Sequence, residues 1–347
     1  MISRIKNRIE QELVHYIRSL NQAHSLSRIS PVLYANIKNF LCRKGKRIRP
    51  TLFVIGYLGF AGKPVPGLYR SAVSLELLHD FMLVHDDIID KSATRRGQPS
   101  MHEMLNQYLA RYKNIKFTGE DLTIVIGDVM YAMALEAFLS VKENPQRKEA
   151  ALKKLIQAAL YTGSGEFIEL LYGAKGIDKI TRKDIYKIYD LKTANYTFAA
   201  PLSMGAALAG AKKSASKILY NLGIYLGRAF QIQDDCLGLF GKERKTGKSG
   251  LSDLQEAKKT ILVWYAYRKS SPRDKSAVRR IFAKKKVDKK DLLAMQKIVL
   301  ASGALQYARK EINRLTAQAK SLSARVQMRQ PYQNLLLNYS KEILKLI

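Results

Sequence analysis

The sequence is short of cysteine, of acid and of long apolar runs. Two cysteines, Cys42 and Cys236, stand among 347 residues. Neither has a metal-ligand or redox spacing, so there is no disulfide framework, and the count suits a reducing compartment. The longest apolar stretches, around Thr51 to Gly62 and Ala199 to Ala211, fall short of a membrane span. The N-terminus, Met1-Ile2-Ser3-Arg4-Ile5-Lys6, is too charged and interrupted for a signal peptide. Together these absences predict a soluble, cytoplasmic protein. Alternating strand patterns bounded by hairpin turns are absent, as are repeats of fixed period and composition shifts that would mark a domain boundary.

Acid is scarce against base: 29 Asp+Glu against 60 Lys+Arg, a net charge of +31. Such a charge attracts phosphates, nucleic acid or an anionic membrane surface and says little about fold. The densest basic stretch, Arg268 to Lys290, reads as a solvated, mobile connection.

What is present is helix. The hydrophobic fraction of 47% supports a sizeable core. Ile2, Ile5, Ile9, Leu13, Tyr16, Ile17 and Leu20 step by threes and fours, the pattern of an amphipathic helix. That helix fits best as one closing the core or an oligomer interface. A weak membrane-surface contact through its basic face is the other reading. Further helices fit Leu52–Gly59, Tyr69–Ile89, Leu122–Val141, Ala150–Leu171, Arg182–Ala209, Ala215–Phe240, Ser252–Tyr267, Asp291–Leu300 and Leu305–Arg325. Breaks fall at Gly62-Lys63-Pro64, Asn144-Pro145, Gly173–Gly176 and Ser271-Pro272. The economical reading is one all-α domain over 1–347.

Two aspartate pairs interrupt this apolar pattern: Asp86-Asp87-Ile88-Ile89-Asp90 and Gln231-Ile232-Gln233-Asp234-Asp235. An unpaired buried carboxylate is costly, so each pair calls for a compensating cation. His79, Leu83, Asp86 and Asp90 share one helix face, and Asp87 points about 100° away. A hard divalent ion such as Mg²⁺ prefers oxygen ligands and shares itself between carboxylates and phosphates. Without a cysteine or histidine cluster, zinc is disfavoured. An acidic helix end capped by Arg95 and Arg96 is the bland alternative. It fails to explain three aspartates at a C-terminus, where the macrodipole disfavours negative charge. Two such pairs facing each other, with lysines and arginines nearby, describe a cavity for Mg²⁺ and a diphosphate.

The motifs then align with a family. Leu77-Leu78-His79, His85 to Asp90 and Arg95-Arg96-Gly97 resemble the first aspartate-rich motif of the trans-isoprenyl diphosphate synthases. Gly45-Lys46-Arg47-Ile48-Arg49-Pro50 and Lys192-Thr193 resemble that family's basic motif and its mid-chain Lys-Thr. Phe230 to Asp235, Thr246-Gly247-Lys248 and Lys258-Lys259-Thr260 resemble its second aspartate-rich region. The order is the family's, over about Gly45 to Thr260. The resemblance implies a single large helical bundle of isoprenoid-synthase type around a central cavity, and commonly a homodimer. It also implies head-to-tail condensation of an allylic diphosphate with isopentenyl diphosphate.

Carried over residue by residue, the resemblance implies that Asp86 and Asp90 bind two Mg²⁺ ions on the allylic diphosphate, with Asp87 assisting. Asp234 would hold a third ion, with Asp235 beside it. Arg95, Lys192 and Lys258 would neutralise the remaining allylic diphosphate oxygens, with Lys248 another substrate contact. Lys46, Arg49, His79 and Arg96 would hold isopentenyl diphosphate. Thr193 and Gln231 would line the region where the carbocation forms, and the released diphosphate would take the final proton. Two positions depart from the family pattern. Gly238 stands where a third aspartate is frequent, which puts a metal contact there in doubt. Ala257 stands where a glycine often precedes the lysine, a small change on a helix.

Product length, by the same resemblance, is set by a tunnel running along the first aspartate helix. Phe81, five residues before Asp86 and so about 7.5 Å along the axis, would form its floor with Met82 next to it. One aromatic there favours a geranylgeranyl product over farnesyl or longer chains. A class I terpene cyclase shares the metal chemistry but has no use for the Lys46, Arg49, His79 and Arg96 group. A basic nucleic-acid-binding helical protein is the reading from another class. It would place aromatics between basic residues on an exposed surface, whereas most Tyr and Phe here lie in apolar helical patterns. No specific nucleic-acid partner is therefore expected.

Overall fold

The computed structural model describes residues 1–241 and 251–344. Chain contacts divide it into two compact units, one of Met1–Lys153 with Met204–Ala211, the other of Lys154–Ser203 with the chain from Lys212 onward.

The first unit is built on α5 (Leu68–Ile89) and α7 (Gly119–Leu139), which pack along each other, with α4 (Ile48–Ala61) beside α5. Leu52, Phe53, Val54, Ile55 and Tyr57 of α4 are all fully buried, as an apolar helix without a polar face requires. Helix α1 (Ile2–His24) lies on α4 and α5 and buries Ile5, Ile9, Leu13, Tyr16, Ile17 and Leu20, the stripe its periodicity predicts. The Tyr16 hydroxyl donates to the Met133 carbonyl at 2.8 Å and ties α1 to α7. Helix α4 begins at Ile48, four residues before the predicted start. Pro50 sits in the first turn, where its missing N–H has no helical partner to lose. Short helices α2 (Leu26–Ile29), α3 (Pro31–Leu41) and α6 (Met101–Leu109) complete the unit.

The apolar helix α7 corrects one expectation. Its 21 residues are long and apolar enough to cross a membrane, and a good part of them is buried inside the protein. The longest apolar helix is thus neither Thr51–Gly62 nor Ala199–Ala211. A second correction is a hairpin. Thr94–Arg95 (β1) pairs antiparallel with Gln98–Pro99 (β2). The turn between them, Arg96-Gly97, has φ of 56° and 74°, the geometry of a type I′ turn.

In the second unit a helical path runs through α8 (Pro145–Gly173), α9 (Arg182–Ile188), a π-helical segment (Tyr189–Ala199) and α10 (Ala200–Leu208), α8 and α10 each crossing a unit boundary. The predicted helix Arg182–Ala209 is therefore wound wider in its middle. Such segments are rare and concentrate at functional sites. The π segment packs on α11 (Lys213–Phe240). Gly223 and Gly227 of α11 face Ala199 and Ala194 so closely that a Cβ on either glycine would collide with the opposing backbone. Then come α12 (Ser252–Gln255), α13 (Ile261–Lys269), α14 (Pro272–Ala283), α15 (Lys289–Ala301), α16 (Ala304–Arg325) and α17 (Gln330–Ile343). Ile185, Ile232, Leu262, Met295 and Leu315 belong to one buried cluster in this unit.

Two further expectations fail here. The basic stretch Arg268 to Lys290 is no mobile connection, because most of it is α14. Ser271 caps that helix by accepting from Asp274 N at 3.2 Å, Pro272 occupies its first turn, and Val278 and Ile281 are buried. The predicted helix Ser252–Tyr267 is broken between α12 and α13. At the break Ala257 has φ +51°, so it sits in a left-handed turn rather than on a helix.

Candidate active site

Helix α5 and its C-cap Asp90 carry five acids, and the structure sorts them into two sets. Glu76, Asp80 and Asp87 fall on one side of the helix and are buried. Each meets an arginine. Arg47 Nη1 donates to Glu76 at 2.5 Å, Arg96 Nη2 to Asp80 at 2.9 Å, and Arg95 Nε to Asp87 at 2.8 Å. Asp86 and Asp90 are half-buried and lie about 80° round the helix. They offer carboxylate oxygens within 4.8 Å of each other. Arg95 Nη2 also reaches Asp86 at 3.5 Å. Two hard oxygen donors at that spacing, with neither thiolate nor imidazole, fit Mg²⁺.

The hairpin explains how two adjacent arginines serve different acids. Its tight turn separates Arg95, on β1, from Arg96 in the turn. The Arg95 carbonyl in turn accepts from Arg43 Nη1 at 3.2 Å. Arg96 Nη1 is buried and has no hydrogen-bond partner among the described residues. His79 is desolvated and close to Arg49, Arg96, Arg95 and Arg47, and burial followed by those charges holds its pKa well below the usual value. It is a neutral imidazole among arginines. Lys46 is exposed and Arg49 half-buried on the loop and first turn leading into α4. Between them Arg47, with φ +49°, turns inward. It binds Glu10 of α1 at 2.7 Å, Glu76, and the Arg43 carbonyl at 2.8 Å. Burial pushes Asp80 up to about 7 against the pull of Arg96, and Glu76 adds to the rise.

Lower on α5, Phe81 stands edge-on to His85 with ring centroids 4.9 Å apart, and 5.2 Å from Tyr131 of α7. Gly127 of α7 makes room for the His85 ring, which a Cβ would strike. Met82 is half-buried beside Phe81.

The second unit gathers another set. Lys192, in the π segment, is ion-paired with Glu169 at 2.6 Å and with Glu166, both on α8. The Thr193 hydroxyl donates to Gln231 Oε1 at 2.6 Å, and Gln231 Nε2 donates to Asp235 Oδ1 at 2.9 Å. Tyr189 donates its hydroxyl proton to Asp235 Oδ2 and accepts from Ile261 N at 2.9 Å. Burial, ahead of every other cause, raises the Asp235 pKa well above the carboxylate range. Asp234, one residue before it, is exposed. So the aspartate pair divides as the first motif does, one carboxylate anchored inside and one presented. Lys258 pairs with Glu256 at 2.5 Å and Asp253 at 3.6 Å. The Asp253 carboxylate covers Gly238, where a Cβ would collide with it. The space a third aspartate would need is thus taken by another acid. Lys248, with Thr246 and Gly247, lies outside the described residues.

Sequence reasoning missed Glu76, Asp80, Arg47, Tyr189, Glu166 and Glu169 as parts of these networks. Glu76 and Asp80 carried a signal, since they recur with Asp87 at i, i+4 and i+11 on an otherwise apolar helix. Tyr189 carried none, because a tyrosine in an apolar pattern reads as core.

A polyprenyl synthetase family model matches residues 30–299. The geranylfarnesyl diphosphate synthase of Aeropyrum pernix is 32% identical over 313 residues, covering 87% of this chain and 91% of that one. The geranylgeranyl diphosphate synthase of Sulfolobus acidocaldarius is 30% identical, covering 83% of this chain and 82% of its own. In fold, the chain matches a geranylgeranyl pyrophosphate synthase from Corynebacterium glutamicum, crystallised with isoprenyl diphosphate and magnesium. The TM-score is 0.89 at 24% identity, covering 99% of each chain. With its aspartate and Lys-Thr motifs inside the matched span, the chain belongs to the polyprenyl synthetase family, all-α, Mg²⁺-dependent trans-prenyltransferases that join an allylic diphosphate to isopentenyl diphosphate.

Proposed function

We propose that this chain makes geranylgeranyl diphosphate as a soluble, cytoplasmic homodimer, with residues 1–347 acting as one catalytic domain. The observation that carries a two-diphosphate reaction is on α5. It bears a half-buried carboxylate pair, Asp86 and Asp90, and separately a neutral His79 among Arg49, Arg95 and Arg96. A terpene cyclase handles one diphosphate and has no use for the second group. The orphaned Arg96 Nη1 supports a diphosphate oxygen as its missing acceptor.

In this reading Asp86 and Asp90 hold two Mg²⁺ ions and Asp234 a third. Bound Mg²⁺ supplies positive charge to the allylic leaving group. Arg95 keeps Asp87 and Asp86 in place, and its guanidinium adds charge beside them. Lys192 and Lys258 are oriented by their glutamate and aspartate partners toward the same role. Lys46, Arg49, His79 and Arg96 bind isopentenyl diphosphate, with His79 donating as a neutral ring. The Thr193 proton is committed to Gln231, so its oxygen can only accept. That is a fixed dipole suited to a developing allylic cation. Holding both substrates still makes the carbon–carbon bond step effectively unimolecular.

Phe81, backed by Tyr131, supports a floor that stops the tail at geranylgeranyl length. The test is incubation with farnesyl diphosphate and isopentenyl diphosphate, with and without Mg²⁺, followed by chain-length analysis. A Mg²⁺-dependent geranylgeranyl product is expected. A cyclic hydrocarbon would sink the synthase reading, and a farnesyl or geranylfarnesyl end product would sink the length assignment. Asp86→Ala should abolish turnover with the fold retained, and full activity would remove it from the metal site.

A further inference from the structure

The basic stretch around Arg268 to Lys290 carries none of the roles proposed above, yet it is folded and held. Residues 272–301 contain ten Lys and Arg against Asp274, Asp288 and Asp291. All three acids serve local structure. Asp274 accepts from Ser271 Oγ at 2.9 Å, Asp288 caps α15 through Lys290 N and Asp291 N, and Asp291 pairs with Lys284 at 2.5 Å. The loop 284–288 between α14 and α15 is pinned by Gln255, which donates to the Lys285 carbonyl at 2.8 Å and accepts from Val287 N at 3.0 Å. Lys285 and Lys286 are therefore displayed, exposed, from a fixed backbone. On α15, Lys290, Leu293, Lys297 and Leu300 follow at steps of three, four and three, which places them on one face. The opposite face buries Met295, Ile298 and Val299. Leu293 is 64% exposed and Leu300 54%.

We propose that this face, α15 with the 284–288 loop, docks on an anionic phospholipid surface. Lysines flanking exposed leucines match what a peripheral helix needs: charge to meet the headgroups, and apolar side chains to enter the interface between them. The leucines decide against nucleic acid, which would call instead for exposed aromatics to stack on bases. Here Trp264, Tyr265, Tyr267 and Phe282 pack against the core of the unit, and Tyr265 is stacked on Tyr307 at 4.1 Å. The reaction supplies a reason for the surface. It turns water-soluble diphosphates into an amphiphile whose tail partitions into lipid, so an enzyme resting on a bilayer releases product where it dissolves.

The test is co-sedimentation of the full chain with vesicles of phosphatidylcholine alone or mixed with phosphatidylglycerol, at low and high salt. Binding is expected only to the mixed vesicles and should fall with salt. Lys285→Glu with Lys286→Glu and Lys290→Glu should weaken it by about tenfold or more. Leu293→Ser with Leu300→Ser should also weaken it, by several-fold. All these positions are exposed, so both variants should keep the wild-type melting temperature and turn over soluble substrates at the wild-type rate. Equal binding to both vesicle types, or binding unchanged by either variant, overturns the proposal. So does tight binding of duplex DNA with no vesicle binding.

Discussion

Arg47 and Glu76 form an ion pair at 2.5 Å with side chains only 1% and 3% exposed. Arg47 lies between Lys46 and Arg49 but is buried, and Glu10 from α1 holds its other edge. The pair fixes the loop that carries Lys46 and leads into the first turn of α4 at Arg49. Glu76→Gln leaves a buried guanidinium with half its compensation. Stability should fall by about 2–4 kcal/mol, and KM for isopentenyl diphosphate should rise. Glu10 is 42% exposed, so Glu10→Gln should cost under about 1 kcal/mol. Denaturant titration with steady-state kinetics checks both. Equal effects of the two substitutions would show that Glu76 does not anchor the loop.

Asp80 gives a pH signature. Its folded pKa, pushed up to about 7, lies above the unfolded value of about 3.9. Between these values the folded state binds the extra proton, so the stability it contributes is present in acid and lost as pH rises. Asp80→Asn keeps an oxygen for Arg96 but cannot titrate. The variant should therefore lose stability less steeply than wild type from about pH 4 to about pH 7. Parallel stability curves across that window would contradict a raised Asp80.

The helical fold was legible wherever an apolar stripe repeated, as in α1, α5 and α11, because periodicity reports which face is buried. Helix α14 was obscured by its arginines and lysines, although Ser271, Pro272 and Asp274 spelled its start. The two-residue strands at Thr94–Arg95 and Gln98–Pro99 are too short to alternate. The one signal they carried, and which went unread, was Arg96-Gly97, where the turn has positive φ. The candidate site residues were legible as types at spacings. Their partners were not, because the long-range pairing of Lys192 with Glu166 and Glu169, or Tyr189 with Asp235, follows from packing rather than local pattern.

Tyr189 offers a test of such a hidden partner. Its hydroxyl serves Asp235 and Ile261 N at once. Tyr189→Phe strands a buried carboxylate oxygen and a buried amide, at a cost of about 1–3 kcal/mol. Since Asp235 orients Gln231 and Gln231 orients Thr193, kcat should fall about tenfold or more while KM for isopentenyl diphosphate stays near wild type. A KM effect without a kcat effect would place Tyr189 outside this chain of contacts.

Ala257 is a backbone experiment. At φ +51° an alanine carries a steric penalty of about 1–2 kcal/mol that glycine avoids, offset in part by glycine's greater unfolded entropy. Ala257→Gly should raise stability by up to about 1 kcal/mol, with Lys258 and Lys259 still held. Lys259 donates to the Gly173 carbonyl at 2.6 Å, and burial lowers its pKa to about 8. A clear loss of stability in the glycine variant would mean the turn is not left-handed in solution.

Product length should follow the Phe81 ring. Phe81→Ala removes the side chain that meets both His85 and Tyr131. The space opened lies below Asp86 by about five residues of helix, roughly 7.5 Å, beyond which a growing tail can extend. Chromatography of the dephosphorylated products should show chains longer than wild type by one or more isoprene units. Tyr131→Phe keeps the packing surface and should leave length unchanged. Tyr131→Ala removes the support behind Phe81 and should give a mixture. If Phe81→Ala leaves the product distribution untouched while Tyr131→Ala shifts it, the floor is Tyr131 and the role assigned to Phe81 moves to α7.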